Sequence, residues 1–484
     1  MSEVVATEDV LTRQQQKADP LWAKHIKVYA KGVSGRWRTI KTATLIVLLL
    51  IYYTVPWIRW DRGEGVPNQA VLADMANSRL YFFWIEIWPQ EIYYLTGLLI
   101  MAAFGLFMAS ALFGRVWCGF TCPQTVWTDL FMFVERRIEG DRNQRMRLDR
   151  QPWTVDKVRK RISKHIVWLV IALATGGAWI FYFMDAPSTF YDLVTFQASG
   201  GTYFFMLLFT GTTYLLAGFA REQVCTYMCP WPRIQAALLD EHSLTVTYQK
   251  YRGEPRGSHR KGESWEGRGH CIDCRQCVSV CPMGIDIRDG MQLECIGCGL
   301  CIDACDTVMD KVDLPRGLIS FDTEMNQHAK SHGDTQPVRL IRPRTIIYTV
   351  IVSLVGLLML FGLSTKSTAD ITVQRDRNPL FIQLSDGSIR NGYTVKILNK
   401  KNEERQFLLA MTGLEGVEMF EQGGNPQPAL ALDAAPDGVS TFRIFVTQAA
   451  DDISSDSYDV AFEITAMDTN ETVTHETVFR TPGP

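Results

Sequence analysis

Residues 271–282 read CIDCRQCVSVCP, and residues 295–306 read CIGCGLCIDACD. Each run is C-x2-C-x2-C-x3-C, and 13 residues lie between the last cysteine of the first and the first cysteine of the second. One tight turn lets three thiolates grip three corners of a cubane, while the fourth must come from elsewhere. In two-cluster ferredoxins the fourth cysteine of each run ligates the other cluster. The spacing therefore predicts two [4Fe–4S] clusters, one on Cys271, Cys274, Cys277 and Cys305, the other on Cys295, Cys298, Cys301 and Cys281. Zinc sites also use paired CxxC, but zinc takes four ligands from two such pairs and has no use for a third cysteine in register. The two runs differ in one respect: Cys281 precedes Pro282, whereas Cys305 precedes Asp306.

Seven acids (Asp273, Asp286, Asp289, Glu294, Asp303, Asp306, Asp310) stand against Arg275 and Arg288 between Cys271 and Asp310, a net of −5. Negative charge disfavours a reduced cluster, so low potentials are expected, with a plain solvated face as the alternative.

Outward from this segment the chain alternates between nearly pure apolar and strongly charged stretches. At 484 residues it is too long for one ordinary domain. A net charge of −3 gives no support to a nucleic-acid partner. Five segments are apolar enough over about 20 residues to cross a bilayer: 42–58, 91–113, 165–184, 202–220 and 345–363. The first lies too far in for a cleaved signal peptide. Basic residues set the orientation: six Lys or Arg in 24–41 and twelve in 115–164, against three in 59–90 and none in 185–201. The N-terminus and the loops 114–164 and 221–344 are thus expected in the cytoplasm of a bacterium, and the tail after the fifth crossing in the periplasm. All twelve cysteines fall in those cytoplasmic loops or at their membrane edge, and the tail 364–484 has none, which agrees with a reducing compartment.

The expected organisation is an α-helical membrane protein with an inserted ferredoxin domain and a C-terminal β-sandwich. Residues 1–41 form a cytoplasmic segment and 42–247 a four-helix membrane domain. Residues 248–344 form the ferredoxin domain with its linkers, 345–363 the fifth crossing, and 364–484 an immunoglobulin-like sandwich. That last reading rests on short alternating segments at 393–398, 406–411, 439–446 and 458–464 separated by Asn, Gly, Asp and Pro. The tail carries no constellation that reads as a site, so an interaction or stabilising role is expected for it.

An internal repeat is visible in the membrane part. The second crossing ends in FGRVWCGFTCPQ (113–124) and the fourth in FAREQVCTYMCPW (219–231), so each hairpin closes on Cys-x3-Cys-Pro. Packing about a pseudo-twofold axis would bring Cys118 and Cys122 near Cys225 and Cys229. Four thiolates there suit a soft metal such as Cu(I), or zinc, a further cluster, or redox dithiols. The stretches 126–138 and 233–242 that follow are amphipathic and read as helices along the membrane surface.

Other residues carry weaker signals. Only His165 falls in a crossing, at its very end, so a membrane haem with two axial histidines has no ligands here. No dinucleotide or P-loop motif occurs. His328 and His332 have helical i, i+4 spacing but read best as a polar loop. Glu86 on the outer side reads as an interfacial acid, with a quinol proton as its alternative role.

The arrangement resembles the cytochrome c oxidase accessory proteins of the FixG/CcoG type over nearly the whole chain. The resemblance is carried by both Cys-x3-Cys-Pro motifs, CPMGIDIRDG (281–290) and ECIGCGLCIDACDTVMDKVDLPRGLI (294–319). RPRTIIY (342–348), RDRNPLF (375–381) and the β-type tail complete it. It implies an inner-membrane oxidoreductase that reduces Cu(II) to Cu(I) in the cytoplasm for assembly of cbb3-type oxidase. Copper would sit near Cys118, Cys122, Cys225 and Cys229. The implied partners are oxidase assembly factors or a copper-exporting ATPase, together with an unknown cytoplasmic or quinol electron donor. Related membrane polyferredoxins imply a second role, as a quinol dehydrogenase feeding a periplasmic reductase. A scaffold that uses no electrons is a third.

Overall fold

The computed structural model describes residues 27–63, 65–259, 263–449 and 455–482. Residues 1–26 of the expected cytoplasmic segment lie outside the described residues. By compactness the chain falls into two units, one of residues up to Ile58 with Gln69–Gly356, the other of Arg59–Asn68 with Leu357 onward. The first four crossings and the cysteine-rich segment thus share a unit, and the fifth is divided between the two after Gly356.

Helix α1 (Arg36–Thr54) is the first crossing. Between it and the second lies a small antiparallel sheet of β1 (Val71–Asp74), β2 (Arg79–Phe82) and β3 (Ile85–Ile87). Three strands of three or four residues are too short to display alternation in the sequence. Glu86 in β3 pairs with Arg79 at 3.2 Å, as an interfacial acid with a structural partner. The second crossing is α2 (Tyr93–Phe113). After the first cysteine pair come α3 (Pro123–Glu139) and α4 (Arg142–Arg150). Pro123 occupies the first helical position of α3, where its missing N–H costs nothing. Rather than presenting a free polar face, α3 buries Asp129, Glu135 and Glu139 along with Phe131.

The third crossing, α5 (Val155–Ile180), starts ten residues before the expected boundary at 165 and stops short of 184. Thr154 caps it by accepting the Lys157 N–H at 3.3 Å, and Lys157 Nζ donates to the carbonyls of Asp149 (3.2 Å) and Gln151 (2.6 Å). Basic residues in these first turns mask the helix from a hydropathy reading, although they continue it unbroken. His165 is therefore inside the helix rather than at its end, with Nδ1 2.9 Å from the Tyr214 hydroxyl. A short helix α6 (Ala186–Val194) precedes the fourth crossing, α7 (Gly200–Leu215), which runs on in a wide π turn to Ala220. Helix α8 (Trp231–Leu238) follows the second cysteine pair.

Strand β4 (Thr245–Tyr248) and strand β5 (Ile319–Asp322) pair antiparallel and bracket both cysteine runs, which carry helices α9 (Gln276–Val280) and α10 (Leu300–Lys311). Val246, Ile287, Ile302, Met309, Leu318 and Ile319 form the core between them. Helix α11 (Glu324–Ser331) holds His328, and His332 caps its end. The last crossing is α12 (Pro343–Ser364). The five long helices have mean hydropathies of 1.3 to 2.6 and leave residues such as Leu98, Leu208 and Leu357 exposed. Apolar surface that the fold does not cover on a helix of this length belongs in lipid. The chain is a multi-pass membrane protein.

The second unit is a β-sandwich. One sheet has the order β10 (Glu418–Glu421), β12 (Gly438–Gln448), β8 (Ile389–Asn399), β6 (Ala369–Arg375), with the short β7 (Ile382–Gln383) on β8. The other runs β11 (Ala429–Ala434), β9 (Arg405–Thr412), β13 (Ser457–Ala466), β14 (Thr472–Arg480). Tyr393, Phe407, Phe462 and Phe479 are wholly buried between the sheets. Alternating burial along β8 and β13 is the pattern of strands with one face on a core.

Candidate metal centres

The two cysteine runs fold alike. Counting from the first cysteine, positions three and five adopt left-handed backbone in both: Asp273 (φ 52°) and Arg275 (φ 51°), then Gly297 (φ 67°) and Gly299 (φ 71°). The second of these residues is in each run the N-cap of a helix, Arg275 of α9 and Gly299 of α10. The choice of residue follows the surroundings. A Cβ on Gly299 would stand 2.8 Å from the Trp37 ring, and one on Gly297 3.3 Å from the Arg115 backbone. Glycine is needed where the membrane helices press on the second run, while the first run, with Arg275 largely exposed, accommodates side chains at a modest strain.

Two apolar cavities result. Cys271, Cys274, Cys277 and Cys305 line one with Tyr248 and Met309. Cys281, Cys295, Cys298 and Cys301 line the other with Ile287 and Ile296, and Cys277 reaches its edge. Burial pushes the Cys305 thiol up, and the neighbouring Cys277, Cys274 and Cys271 add to the shift. Burial likewise pushes Cys281 up to about 12, with Cys298 and Cys295 adding to it and the N–H groups of Ile285 and Met283 opposing it. Thiols held this far from ionising become thiolates only when a cation replaces the proton. Four soft sulfurs around an apolar cavity, twice over, fit a [4Fe–4S] cluster in each. Among the described residues no three Cys, His, Asp or Glu side chains converge as for a single ion. The sulfurs frame cavities rather than points.

Several acids around these runs have partners, although the acidic excess remains. Arg288 pairs with Asp286 at 2.6 Å and Asp273 at 2.5 Å, and Arg316 with Asp310 at 2.7 Å. Asp306 accepts the Gly317 N–H at 2.9 Å. Asp303 is buried and accepts the N–H groups of Trp37 (3.1 Å) and Arg38 (2.7 Å), capping the first turn of α1 from a distant part of the chain.

The Cys-x3-Cys-Pro repeat is one conformation used twice. Gly114 (φ 63°) and Arg221 (φ 39°) break the two crossings at equivalent positions. A π turn follows each, Trp117–Thr121 and Val224–Met228, closed by Cys122 N–H to Trp117 O (2.9 Å) and Cys229 N–H to Val224 O (2.8 Å). Each turn carries both of its cysteines to the same end of the crossings. Burial pushes Cys118 up to about 12, opposed by Arg115 and reinforced by Cys122, Cys225 and Cys229. Burial pushes Cys225 up to about 11, with Cys122 and Cys229 adding to it. Cys118 and Cys225 each feel the other thiols of the group, although among the described residues the four do not converge as for a single ion. Cys118 Sγ donates to Gln235 Oε1 at 3.0 Å, and the wholly buried Gln235 donates in turn to Ser110 Oγ at 3.1 Å. Sequence reasoning did not single out Gln235; the available signal was a lone amide among apolar residues in α8.

This group abuts the second sulfur cavity. Cys118, Ile296, Cys298 and Leu300 belong to one apolar cluster. A Cβ on Gly119 would stand 2.7 Å from the Ile296 carbonyl and 3.0 Å from the Cys298 backbone. Cys225 shares a cavity with Pro282, Met283 and Ile296. On the outer sides, Cys274 and Cys229 are exposed. His328 and His332 lie ring to ring at 4.9 Å, remote in sequence from every cysteine group.

Comparison with known proteins agrees with these observations. Residues 220–324 match a family model described as a 4Fe-4S dicluster domain, and 95–139 one described as a 4Fe-4S binding domain. Residues 359–482 match the Ig-like fold at the C-terminus of FixG. The nitrogen fixation protein FixG of Rhizobium meliloti is 50% identical over 458 residues, 88% of this chain and 87% of its own length. Protein RdxA of Cereibacter sphaeroides is 50% identical over 89% of this chain and 91% of its own, and protein RdxB of the same organism 47% over 98% and 100%. Identity of this order across the crossings, the cysteine runs and the tail means that the chain belongs to the FixG family, as an iron–sulfur electron-transfer protein of a membrane.

Proposed function

We propose that the protein reduces Cu(II) to Cu(I) at its four-thiol group for assembly of a cbb3-type cytochrome oxidase. The observation that carries this reading is the direct packing of Cys118 and Gly119 on Cys298 and Ile296. Cys271, Cys274, Cys277 and Cys305 would hold one cluster and Cys281, Cys295, Cys298 and Cys301 the other; when bound, such clusters supply single electrons. The chain's own residues arrange the rest. Exposed Cys274 is the side open to an electron donor, cytoplasmic or quinol. Exposed Cys229 is the side open to the metal, and buried Cys118 is the side turned toward the ferredoxin segment. Copper is the substrate: Cu(II) gains one electron and is held as Cu(I), the state that soft thiolates favour. The basic loops put this face in the bacterial cytoplasm and the β-sandwich in the periplasm. Oxidase assembly factors or a copper-exporting ATPase would receive the product.

Cys118→Ser with Cys225→Ser should abolish copper reduction while leaving the iron content and the spectrum of the dithionite-reduced protein unchanged. Reduction at the wild-type rate in that variant would refute the role of the four thiols. A second reading has one specific observation behind it: the 4Fe-4S binding match at 95–139 contains only Cys118 and Cys122. Under that reading the four thiols hold a third cluster. Iron analysis separates the two, with roughly eight irons per chain for copper chemistry and roughly twelve for a third cluster, four per cubane.

A further inference from the structure

A cavity of about 640 Å³ opens where α5 begins and the π turn after α7 ends. Among the described residues, Lys27, Lys157, Arg161, Lys164 and Arg221 line it with His165 and three acids, Glu135, Asp149 and Glu222; Asp149 pairs with both Lys27 and Arg161. Behind the wall, Arg145 pairs with Glu135 at 2.8 Å and Glu139 with Lys164 at 2.8 Å, one further charge of each sign. Among the described residues the site therefore keeps a surplus of two positive charges. Lys157, Lys164, Arg221 and Glu135 are all buried. A buried surplus of charge is costly unless an opposite charge compensates it.

The remaining wall is aromatic. Trp168 and Phe219 form the inner side, and Trp153 stands exposed at the rim. The Lys164 ammonium lies 4.7 Å from the Trp168 ring and the Arg221 guanidinium 5.4 Å. Both α5 and α7 are crossings, so the cavity sits at the level where a bilayer presents its phosphates. A basic pocket with an aromatic wall between the ends of membrane helices recognises a phosphate that carries an apolar chain. We propose that this cavity binds the headgroup of an anionic phospholipid. The phosphate would meet Lys27, Arg161 and Lys164, and the glycerol and first methylenes would lie on Trp153 and Trp168. Arg221 links the site to the cysteines, since it closes the π turn after α7 three residues before the turn that carries Cys225.

The test uses the full chain purified in detergent. Lipid extraction and native mass spectrometry should find an anionic phospholipid at a fixed ratio to protein and no retained phosphatidylcholine. Lys27→Gln with Arg161→Gln, chosen because neither residue is wholly buried, should weaken the affinity of the detergent-solubilised chain for added phosphatidylglycerol or cardiolipin by roughly 30-fold, at about fivefold for each cation. Added phosphatidylcholine should bind neither the wild type nor the variant. Unaltered iron content would show that the variant is folded. Trp153→Ala, at an exposed position, gives a second variant expected to lose the lipid. The proposal is overturned if the extracted protein holds no anionic lipid. It is also overturned if inorganic phosphate alone binds as tightly as the lipid, or if both variants retain the lipid at the wild-type ratio.

Discussion

A Cβ at position 119 has nowhere to go. It would meet the Ile296 carbonyl at 2.7 Å and the Cys298 backbone at 3.0 Å, and backbone does not swing aside as a long side chain does. Gly119→Ala must therefore separate the first π turn from the second cysteine run. Overpacking of this kind costs about 1–3 kcal/mol. We expect a lower unfolding temperature and unchanged iron, because no sulfur is touched. Reoxidation of the reduced protein by Cu(II) should slow, in step with the widened contact; stopped-flow absorbance would measure it. A rate equal to the wild type, with the unfolding temperature lowered, would mean that electrons do not cross at this contact. None of this was legible beforehand. Gly119 sits inside a cysteine motif and looks like part of its spacing, and only the arrival of residues 296–298 from far along the chain gives it a reason. Asp303 teaches the same lesson. It counted as one more acid near the cysteines, yet its carboxylate is the cap of α1.

At the scale of elements, α3 is held by charge as much as by apolar contact. Glu135 receives Arg145 at 2.8 Å, Arg221 at 3.1 Å and Lys164 at 3.5 Å, from three other segments. Burial alone would raise its pKa, but Arg221, Arg145 and Lys164 outweigh burial and hold it at about 2, against an ordinary 4.5. A carboxyl depressed in the folded state contributes stability that is fully present above its unfolded pKa and lost as pH falls through the folded one. The wild type should therefore lose on the order of 3 kcal/mol between about pH 4.5 and 2 through this group. Glu135→Gln should be less stable at neutral pH, because it leaves buried cations without their partner, and should lack that acid-limb loss. Circular dichroism melts across this range test it; parallel acid limbs in the two proteins would refute the assignment. The sequence showed α3 as an amphipathic helix because its period is clear. It did not show that the polar face is enclosed, since the partners Arg145, Lys164 and Arg221 are separated along the chain and each looks like an ordinary basic residue at a membrane edge. The same blindness set the start of α5 too late, where basic residues lowered the local hydropathy without interrupting the helix.

At the scale of the whole molecule, what the sequence shows best is what repeats locally. The cysteine runs, the twin Cys-x3-Cys-Pro motifs, the long apolar helices and the alternating strands were all readable because each signal is contained in a short window. The small β1–β3 sheet and the edge strands β10, β11 and β14 were not, being short or weakly alternating. The division into units also matters for function. The first four membrane helices and the ferredoxin segment lie in one compact unit, while the sandwich draws its core from its own strands, with Tyr393, Phe407, Phe462 and Phe479 wholly buried. It contains no cysteine to ligate iron. A chain ended after Thr365 should thus keep the iron content, reduced spectrum and copper-dependent reoxidation of the full protein. Residues 366–484 made separately should melt in one cooperative transition, as expected for a single domain with its own core. If the shortened chain loses iron, the sandwich supports the ferredoxin segment, and a purely external role for it is wrong. If iron and rate are retained but cells carrying the shortened gene fail to assemble their oxidase, the sandwich acts on a partner and the electron chemistry belongs to the membrane unit alone.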